Sequence, residues 1–303
     1  MGRIPPEFLG APQFVEQQLS GRLGAEVLVK VETLNPIGSF KGRGTWLMAD
    51  ELDTGQTWVC STAGNFGQGV AYAARARGAR VHIFVEADVP KAKVERMRML
   101  GAEVALTDDS EAAAHEHASA SDDRVLVKDG LSPAIAEGAG TIGLELAAGG
   151  AIDTAIVQVG DGALITGVAR ALKARSPRTR VVGVCATGAP AMARSFEAGT
   201  PVSLEGSGTI ATALAISNPV PESVARVTAL VDEIVLVDDD ELRAAMDVIA
   251  KTMGVLVEPA GAAGVAALCR GGLASDGERV AVILTGAGTP GQSRSSSPGI
   301  PRA

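Results

Sequence analysis

The sequence predicts an α/β protein built on a buried, mostly parallel sheet with helices on both faces. Three observations predict it. Short β-branched apolar runs recur along the chain, alanine-rich stretches of helical period lie between them, and the runs often end at glycine. Near-continuous apolar strands are buried on both faces, as parallel sheets require, because their crossover helices cover both sides. Regular alternation of the two element types then sets the class.

In chain order the strands fall at 27–32, 58–61, 81–85, 103–106, 125–127, 155–159, 181–185, 233–237 and 280–285. The helices between them fall at 67–76, 90–100, 135–148, 164–175, 239–253 and 261–270. Asp238, Asp239 and Asp240 ahead of Leu242 read as an N-cap followed by first-turn acids, which the helix dipole favours. No internal repeat is visible. The tail, 291–303, holds several Ser, two Pro and no apolar period, which predicts disorder.

Composition narrows the function. The 303 residues carry 27 Lys+Arg against 35 Asp+Glu, a net charge of −8, with 46% hydrophobic and 20% charged residues. A soluble globular protein of one large or two moderate domains fits these values. With 3% aromatics and 37 Gly, small and branched aliphatic residues must do the packing. The acidic balance argues against nucleic acid or an anionic membrane as partner, since either needs a positive face. No apolar run reaches the roughly 18 residues that span a bilayer, and the N-terminus lacks the pattern of a signal peptide. Cys60, Cys185 and Cys269 are odd in number and outside metal-ligand spacing, so they read as reduced buried thiols in a cytoplasmic protein.

Four segments depart from core composition, each where a strand gives way to a helix or turn, the place where open α/β sheets bind ligands. In the first, Asn35-Pro36-Ile37-Gly38-Ser39-Phe40-Lys41-Gly42-Arg43-Gly44, glycines flank a lysine and let backbone approach a ligand. Arg43 and a helix start would lower the Lys41 pKa and suit it to a Schiff base; an exposed loop lysine is the plainer alternative. The second, Ser61-Thr62-Ala63-Gly64-Asn65-Phe66-Gly67-Gln68-Gly69, offers hydroxyls, an amide and backbone N–H groups to a carboxylate or phosphate. It is equally readable as a capped turn.

The third, Gly160-Asp161-Gly162-Ala163-Leu164, reads as a phosphate site or a dinucleotide fingerprint. The fingerprint fails, because Ile165 stands where a small residue is needed and Ala186 and Thr187 stand where an acid should close the next strand. A P-loop fails for want of Gly-Lys-Ser/Thr. In the fourth, Thr285 follows the last strand, where a hydroxyl can meet a ring nitrogen or merely end a strand. A Schiff-base lysine, a carboxylate cradle, a phosphate cradle and a hydroxyl for a heterocycle together are what pyridoxal phosphate asks of a protein.

At these residues the chain resembles the fold-type II pyridoxal-phosphate enzymes, the tryptophan synthase β family, in the threonine/serine dehydratase and threonine synthase branch. The likeness runs over about 14–288 with the motifs in order. Residues 35–44 resemble the family's Pro-Thr-Gly-Ser-Phe-Lys segment. The resemblance therefore implies Lys41 as the Schiff-base lysine and Phe40 against the cofactor ring. Residues 61–68 are similar to Ser-Ala-Gly-Asn-His-Gly-Gln. That likeness implies Ser61, Thr62, Ala63, Gly64, Asn65 and Phe66 around the substrate carboxylate, with Asn65 on the pyridoxal 3-hydroxyl. Gly160, Asp161, Gly162, Ala163 and Leu164 resemble the tetraglycine phosphate loop. Glu258-Pro259-Ala260-Gly261-Ala262 resembles a shared helix start near the cofactor, and Thr285 takes the place facing the pyridine nitrogen.

The chain departs from the pattern at Phe66, where the family has His, and at Asp161, where it has Gly. An acid beside a phosphate is repulsive unless its side chain turns outward, which leaves phosphate binding to backbone N–H groups. Ala63 replaces the serine that racemases use as second acid/base. Residues 209–219 resemble a threonine synthase segment instead.

The resemblance implies two open, twisted, mostly parallel sheets flanked by helices. It divides the chain into a large cofactor domain, 1–35 and 144–290, and a small lid domain, 36–143. It implies a lyase that eliminates the β-substituent of serine or threonine to give a 2-oxo acid and ammonia, and a homodimer. With little chain after Thr285, no C-terminal regulatory domain is expected. The alternatives are a threonine synthase-like enzyme, with Arg194, Arg226 and Lys251 as phosphate-binding candidates by type, or a binding protein without turnover. No metal ligands are assigned: His115 and His117 read as exposed residues of an acidic helix.

Overall fold

Two sheets organise the computed structural model, which describes residues 2–288 apart from Ala63, Asp88 and Leu131. The tail expected to be disordered lies outside those residues. The strands are β1 (Gln13–Val15), β2 (Glu26–Val31), β3 (Thr57–Ser61), β4 (Arg80–Glu86), β5 (Glu103–Thr107), β6 (Arg124–Leu126), β7 (Thr154–Gln158), β8 (Arg180–Ala186), β9 (Glu233–Val237) and β10 (Arg279–Leu284). Six of them form one sheet in the order β1-β2-β10-β7-β8-β9, and four form the other in the order β5-β4-β3-β6. Among the described residues, all pairings between these strands are parallel except that of β1 with β2.

The helices are α1 (Gln17–Leu23), α2 (Lys41–Met48), α3 (Asn65–Arg77), α4 (Lys91–Met99), α5 (Ser110–Ser119), α6 (Pro133–Ala148), α7 (Ala163–Arg175), α8 (Ala191–Ala198), α9 (Pro221–Leu230), α10 (Asp239–Met253) and α11 (Pro259–Arg270). Every strand expected from the sequence is present with its ends shifted by at most one residue. Among the elements the sequence did not announce are β1, α1, α8 and α9. Strand β1 has three residues and an exposed Phe14, so it has no apolar run to read. At α10 the expected cap is a full capping box, with Asp238 and Glu241 each bonding the other's backbone N–H.

Small residues set the helix spacing near the site. A Cβ added at Gly138 of α6 would lie 2.4 Å from Gly44 Cα of α2, and one at Gly167 of α7 would lie 2.1 Å from Ala136 O of α6. Backbone therefore packs on backbone through α2, α6 and α7. That contact fixes the start of α2, which carries Lys41, relative to the start of α7.

Two expectations need correction here. Cys60 and Cys185 are buried free thiols, but Cys269 is exposed, because it lies in the last turn of α11 past the end of its buried face. His115 is exposed on α5, whereas His117 is half-buried; its ring lies 4.4 Å from that of His82 and 5.4 Å from that of Phe84 on β4.

Candidate active site

A cavity of about 250 Å³ is lined by residues from both sheets and their loops. Lys41 opens α2 and enters it, with Phe40 beside it; the Lys41 Nζ lies 5.1 Å from the Phe40 ring centre. The Phe40 N–H donates to Thr285 O at 3.1 Å, which ties the start of α2 to the end of β10. Ser61, Thr62, Gly64, Asn65 and Phe66 line the same cavity from the turn between β3 and α3, and Gly160, Asp161 and Leu164 line it from the turn between β7 and α7. Glu258 and Thr285 complete the set expected from the sequence. Gly162 and Ala163 are not among its lining residues; Ala63 lies outside the described residues.

Local bonding shapes each wall. The Thr62 hydroxyl accepts from the N–H groups of Gly64 (2.9 Å) and Gly67 (3.2 Å), which curls the turn. Asn65 donates to Glu258 Oε1 at 2.7 Å, and Lys93 donates to Glu258 Oε2 at 2.6 Å. These two bonds join α3 and α4 to the start of α11. Phe66 is 4% exposed and packs mainly into the core beside the smaller sheet. Gln158 Nε2 donates to Ile283 O at 2.8 Å and to Ala260 O at 3.1 Å. Its Oε1 is buried without a partner among the described residues.

The charges around Lys41 overturn one expectation. Arg43 does not act on it: that guanidinium is fully buried and holds Glu32 and Glu145 instead. Lys41 Nζ lies 2.5 Å from Asp129 Oδ2 and 3.5 Å from Asp161 Oδ2. Burial pulls the ammonium pKa down, but the Asp129 and Asp161 carboxylates outweigh it and hold the pKa above the ordinary lysine value. The two carboxylates thus favour the ammonium form of Lys41 over the free amine.

Asp161 overturns a second. Its side chain turns inward, accepting from Ala163 N–H at 2.8 Å with Oδ1 while Oδ2 faces Lys41. The physical reason is that an α7 N–H and a lysine both attract the carboxylate. Burial raises its pKa, yet Lys41 and the Ala163 N–H more than offset that and hold it below the usual carboxylate range. Arg194 and Lys251 are exposed, and Arg226 donates to Gly130 O at 3.2 Å; none of the three lines the cavity.

The comparisons with known proteins agree with this geometry. Residues 10–286 match the family described as pyridoxal-phosphate dependent enzyme. The chain belongs to that family. It is 36% identical over 274 residues to phenylserine dehydratase of Ralstonia pickettii, covering 88% of this chain and 84% of that protein. It is 34% identical to L-threonine ammonia-lyase of Thermotoga maritima, covering 88% of this chain and 68% of the relative. The crystal structure of a threonine deaminase from T.th. superposes with a TM-score of 0.87 at 31% identity, covering 98% of this chain and 97% of that one. These place the enzyme in the threonine/serine dehydratase branch and make pyridoxal 5'-phosphate its cofactor.

The residues present fit that cofactor. Gly162, with φ 93°, opens α7, whose first N–H groups have no acceptor within the helix and form a seat for an anion. A Cβ at Gly160 would lie 2.5 Å from Ala213 O, so this part of the seat admits backbone alone. Two orphaned oxygens, Gln158 Oε1 and Asp129 Oδ1, belong to residues of the cavity wall. The poorest element is Asp161, which itself occupies the Ala163 N–H.

Sequence reasoning missed Asp129, Lys93 and Gln158. Asp129 stands between Lys128 and Gly130 at the end of a short strand, and Lys93 is one of four cations on α4. Neither pattern differs from a solvated surface. A buried amide in a strand was the one available signal for Gln158, whose strand is otherwise apolar apart from Thr154.

Proposed function

We propose that the enzyme eliminates the β-hydroxyl of a small L-amino acid, in the manner of a serine/threonine ammonia-lyase, and releases a 2-oxo acid and ammonia. The observation that carries this reading is the meeting of Lys41, the α7 N-terminus and the 61–66 turn around one cavity. The dehydratases and ammonia-lyase among its relatives supply the reaction class. Pyridoxal phosphate, when bound, draws electrons from the α-carbon of an attached amino acid, so that the α-proton and then the β-hydroxyl can leave.

The chain's own residues have separate tasks. Lys41 holds the cofactor covalently and, once freed, takes the α-proton. The backbone of Gly160, Asp161, Gly162, Ala163 and Leu164 binds the phosphate, with Asp161 giving up the Ala163 N–H. Ser61, Thr62, Ala63, Gly64, Asn65 and Phe66 hold the substrate carboxylate, with Asn65 also on the pyridoxal hydroxyl and Phe40 against the ring. Thr285 presents an uncharged hydroxyl to the pyridine nitrogen, which favours fast loss of a β-substituent over long-lived carbanion chemistry. Glu258 holds Asn65 and Lys93 in place. The segment 36–143 moves as a lid against 1–35 and 144–290; the Lys93–Glu258 contact supports a closure of this kind.

The site works in a cytoplasmic homodimer on this reading. Its three free cysteines support the compartment; within the described residues, no helix is long and apolar enough to cross a membrane. The threonine synthase-like alternative is not favoured, since its cation candidates lie outside the cavity wall.

Incubation with L-serine, L-threonine and L-phenylserine, with assay of 2-oxo acid and ammonia, tests the proposal. Turnover of at least one is expected. No product from any of the three, with cofactor bound, refutes the elimination.

A further inference from the structure

The two carboxylates at Lys41 have unequal surroundings. Asp161 has both oxygens engaged, one by the Ala163 N–H and one by Lys41. Asp129 has Oδ2 on Lys41 Nζ, while Oδ1 is closed off from solvent with no partner among the described residues. An oxygen without a donor makes a carboxylate costly to keep charged and makes a proton welcome there. Burial first, and then the neighbouring Asp161 charge, push the Asp129 pKa up to about 7 against the pull of Lys41.

Among the described residues, the titratable groups facing Asp129 are Lys41 from α2, Asp161 from the turn before α7, and the buried Cys60 thiol from β3. Burial, with Asp129 adding to it, raises the Cys60 pKa to about 12, so that thiol stays neutral. One cation is left to balance two anions. Passing a proton from Lys41 Nζ to Asp129 conserves the net charge of the trio; because the Lys41 pKa lies above that of Asp129, the free amine is a minor form that condensation with the aldehyde draws off.

We propose that Asp129 is the catalytic proton acceptor that turns the Lys41 ammonium into the free amine able to bond the cofactor's aldehyde. The step is Lys41–NH3⁺ plus Asp129–COO⁻ giving Lys41–NH2 plus Asp129–COOH. The amine then condenses with the aldehyde carbon: a C=N bond forms, the C=O bond breaks, and the oxygen leaves as water with the two amine hydrogens. Asp161, though also near, is a poorer acceptor because the Ala163 N–H stabilises its charged form. This inference rests on the pyridoxal-phosphate reading and adds a residue to it.

Cofactor-stripped protein mixed with pyridoxal phosphate supplies the test, with the visible absorbance of the Lys41 adduct followed as a function of pH. Borohydride reduction and peptide mass analysis confirm the site of attachment. The wild-type rate should rise through an inflection near the Asp129 value of about 7. Asp129→Asn should slow adduct formation near neutral pH by on the order of a hundredfold. Asp129→Glu should recover part of the rate, and Asp161→Asn, which removes the neighbouring anion, should move the inflection to lower pH without abolishing it. A purely electrostatic Asp129 gives the opposite result, because removing an anion lowers the Lys41 pKa and speeds loading. An Asp129→Asn rate equal to or above wild type overturns the inference. If that variant does not fold, a wild-type rate with no inflection within about one unit of neutrality overturns it equally. Wild-type protein that forms no adduct at all refutes the cofactor reading instead.

Discussion

Lys41 and Arg43 stand two residues apart on α2, and each faces two carboxylates. Arg43 spends its guanidinium fully. It donates to Glu32 at 2.8 Å twice, to Glu145 at 2.6 and 2.9 Å and to Thr141 at 2.9 Å. Lys30, donating to Glu145 at 2.6 Å and to Ala11 O at 2.6 Å, brings this group to two cations and two anions. Lys41 has one cation against Asp129 and Asp161, an orphaned oxygen and an open cavity. The satisfied cluster locks β2, α2 and α6 together, whereas the unsatisfied one has protons to move and a ligand to gain. Buried ionic groups hold a fold when every donor and acceptor is matched, and become reactive when one is left over.

The comparison can be broken from either side. Lys41→Ala should reduce 2-oxo acid formation by at least about a thousandfold while lowering the thermal unfolding midpoint less than Arg43→Met does, since the cavity lets water reach Asp129 and Asp161 once the ammonium is gone. A large fall in the midpoint would mean that Lys41 is structural after all. Arg43→Met should cost about 3–5 kcal/mol in urea unfolding, because it leaves the Glu32 and Glu145 charges buried with too few partners. A cost below about 1 kcal/mol would put Arg43 in the class of weak surface pairs. Gly138→Ala, which drives a methyl into Gly44, should cost about 1–3 kcal/mol and also weaken cofactor binding by shifting α2.

A further effect expected is one of pH. Asp129 has a folded pKa raised from 3.8 to about 7, so it contributes stability at low pH that is lost as pH rises through that window. The depressed pKa of Asp161 and the raised pKa of Lys41 act below and above this window respectively. Cofactor-free protein should therefore lose stability between about pH 4 and 7 through this group, and Asp129→Asn should flatten that part of the profile. Urea titrations at several pH values measure it; an unchanged slope in the variant contradicts the assignment.

Much of this architecture was legible along the chain. Strands β7 and β10 announce themselves because apolar β-branched runs have few other folded uses, and α10 is marked by its acids and its period. The turns around Lys41, Asn65 and Gly160 stood out because glycine, amide and hydroxyl clusters are rare in core sequence. Strand β1 was illegible since it owes its conformation to pairing with β2. The partner of Lys41 was illegible too: Asp129 lies 88 positions away, in a context no different from a surface loop.

The order of strands and helices and the choice of Lys41 followed from local composition, because side-chain period and backbone freedom are properties of neighbouring residues. Whether Lys41 is an amine or an ammonium was a tertiary matter. Coulomb energy depends on distance in space and on burial, and only the packing of α2 against α6, and of α6 against α7, brought Asp129 and Asp161 to that nitrogen.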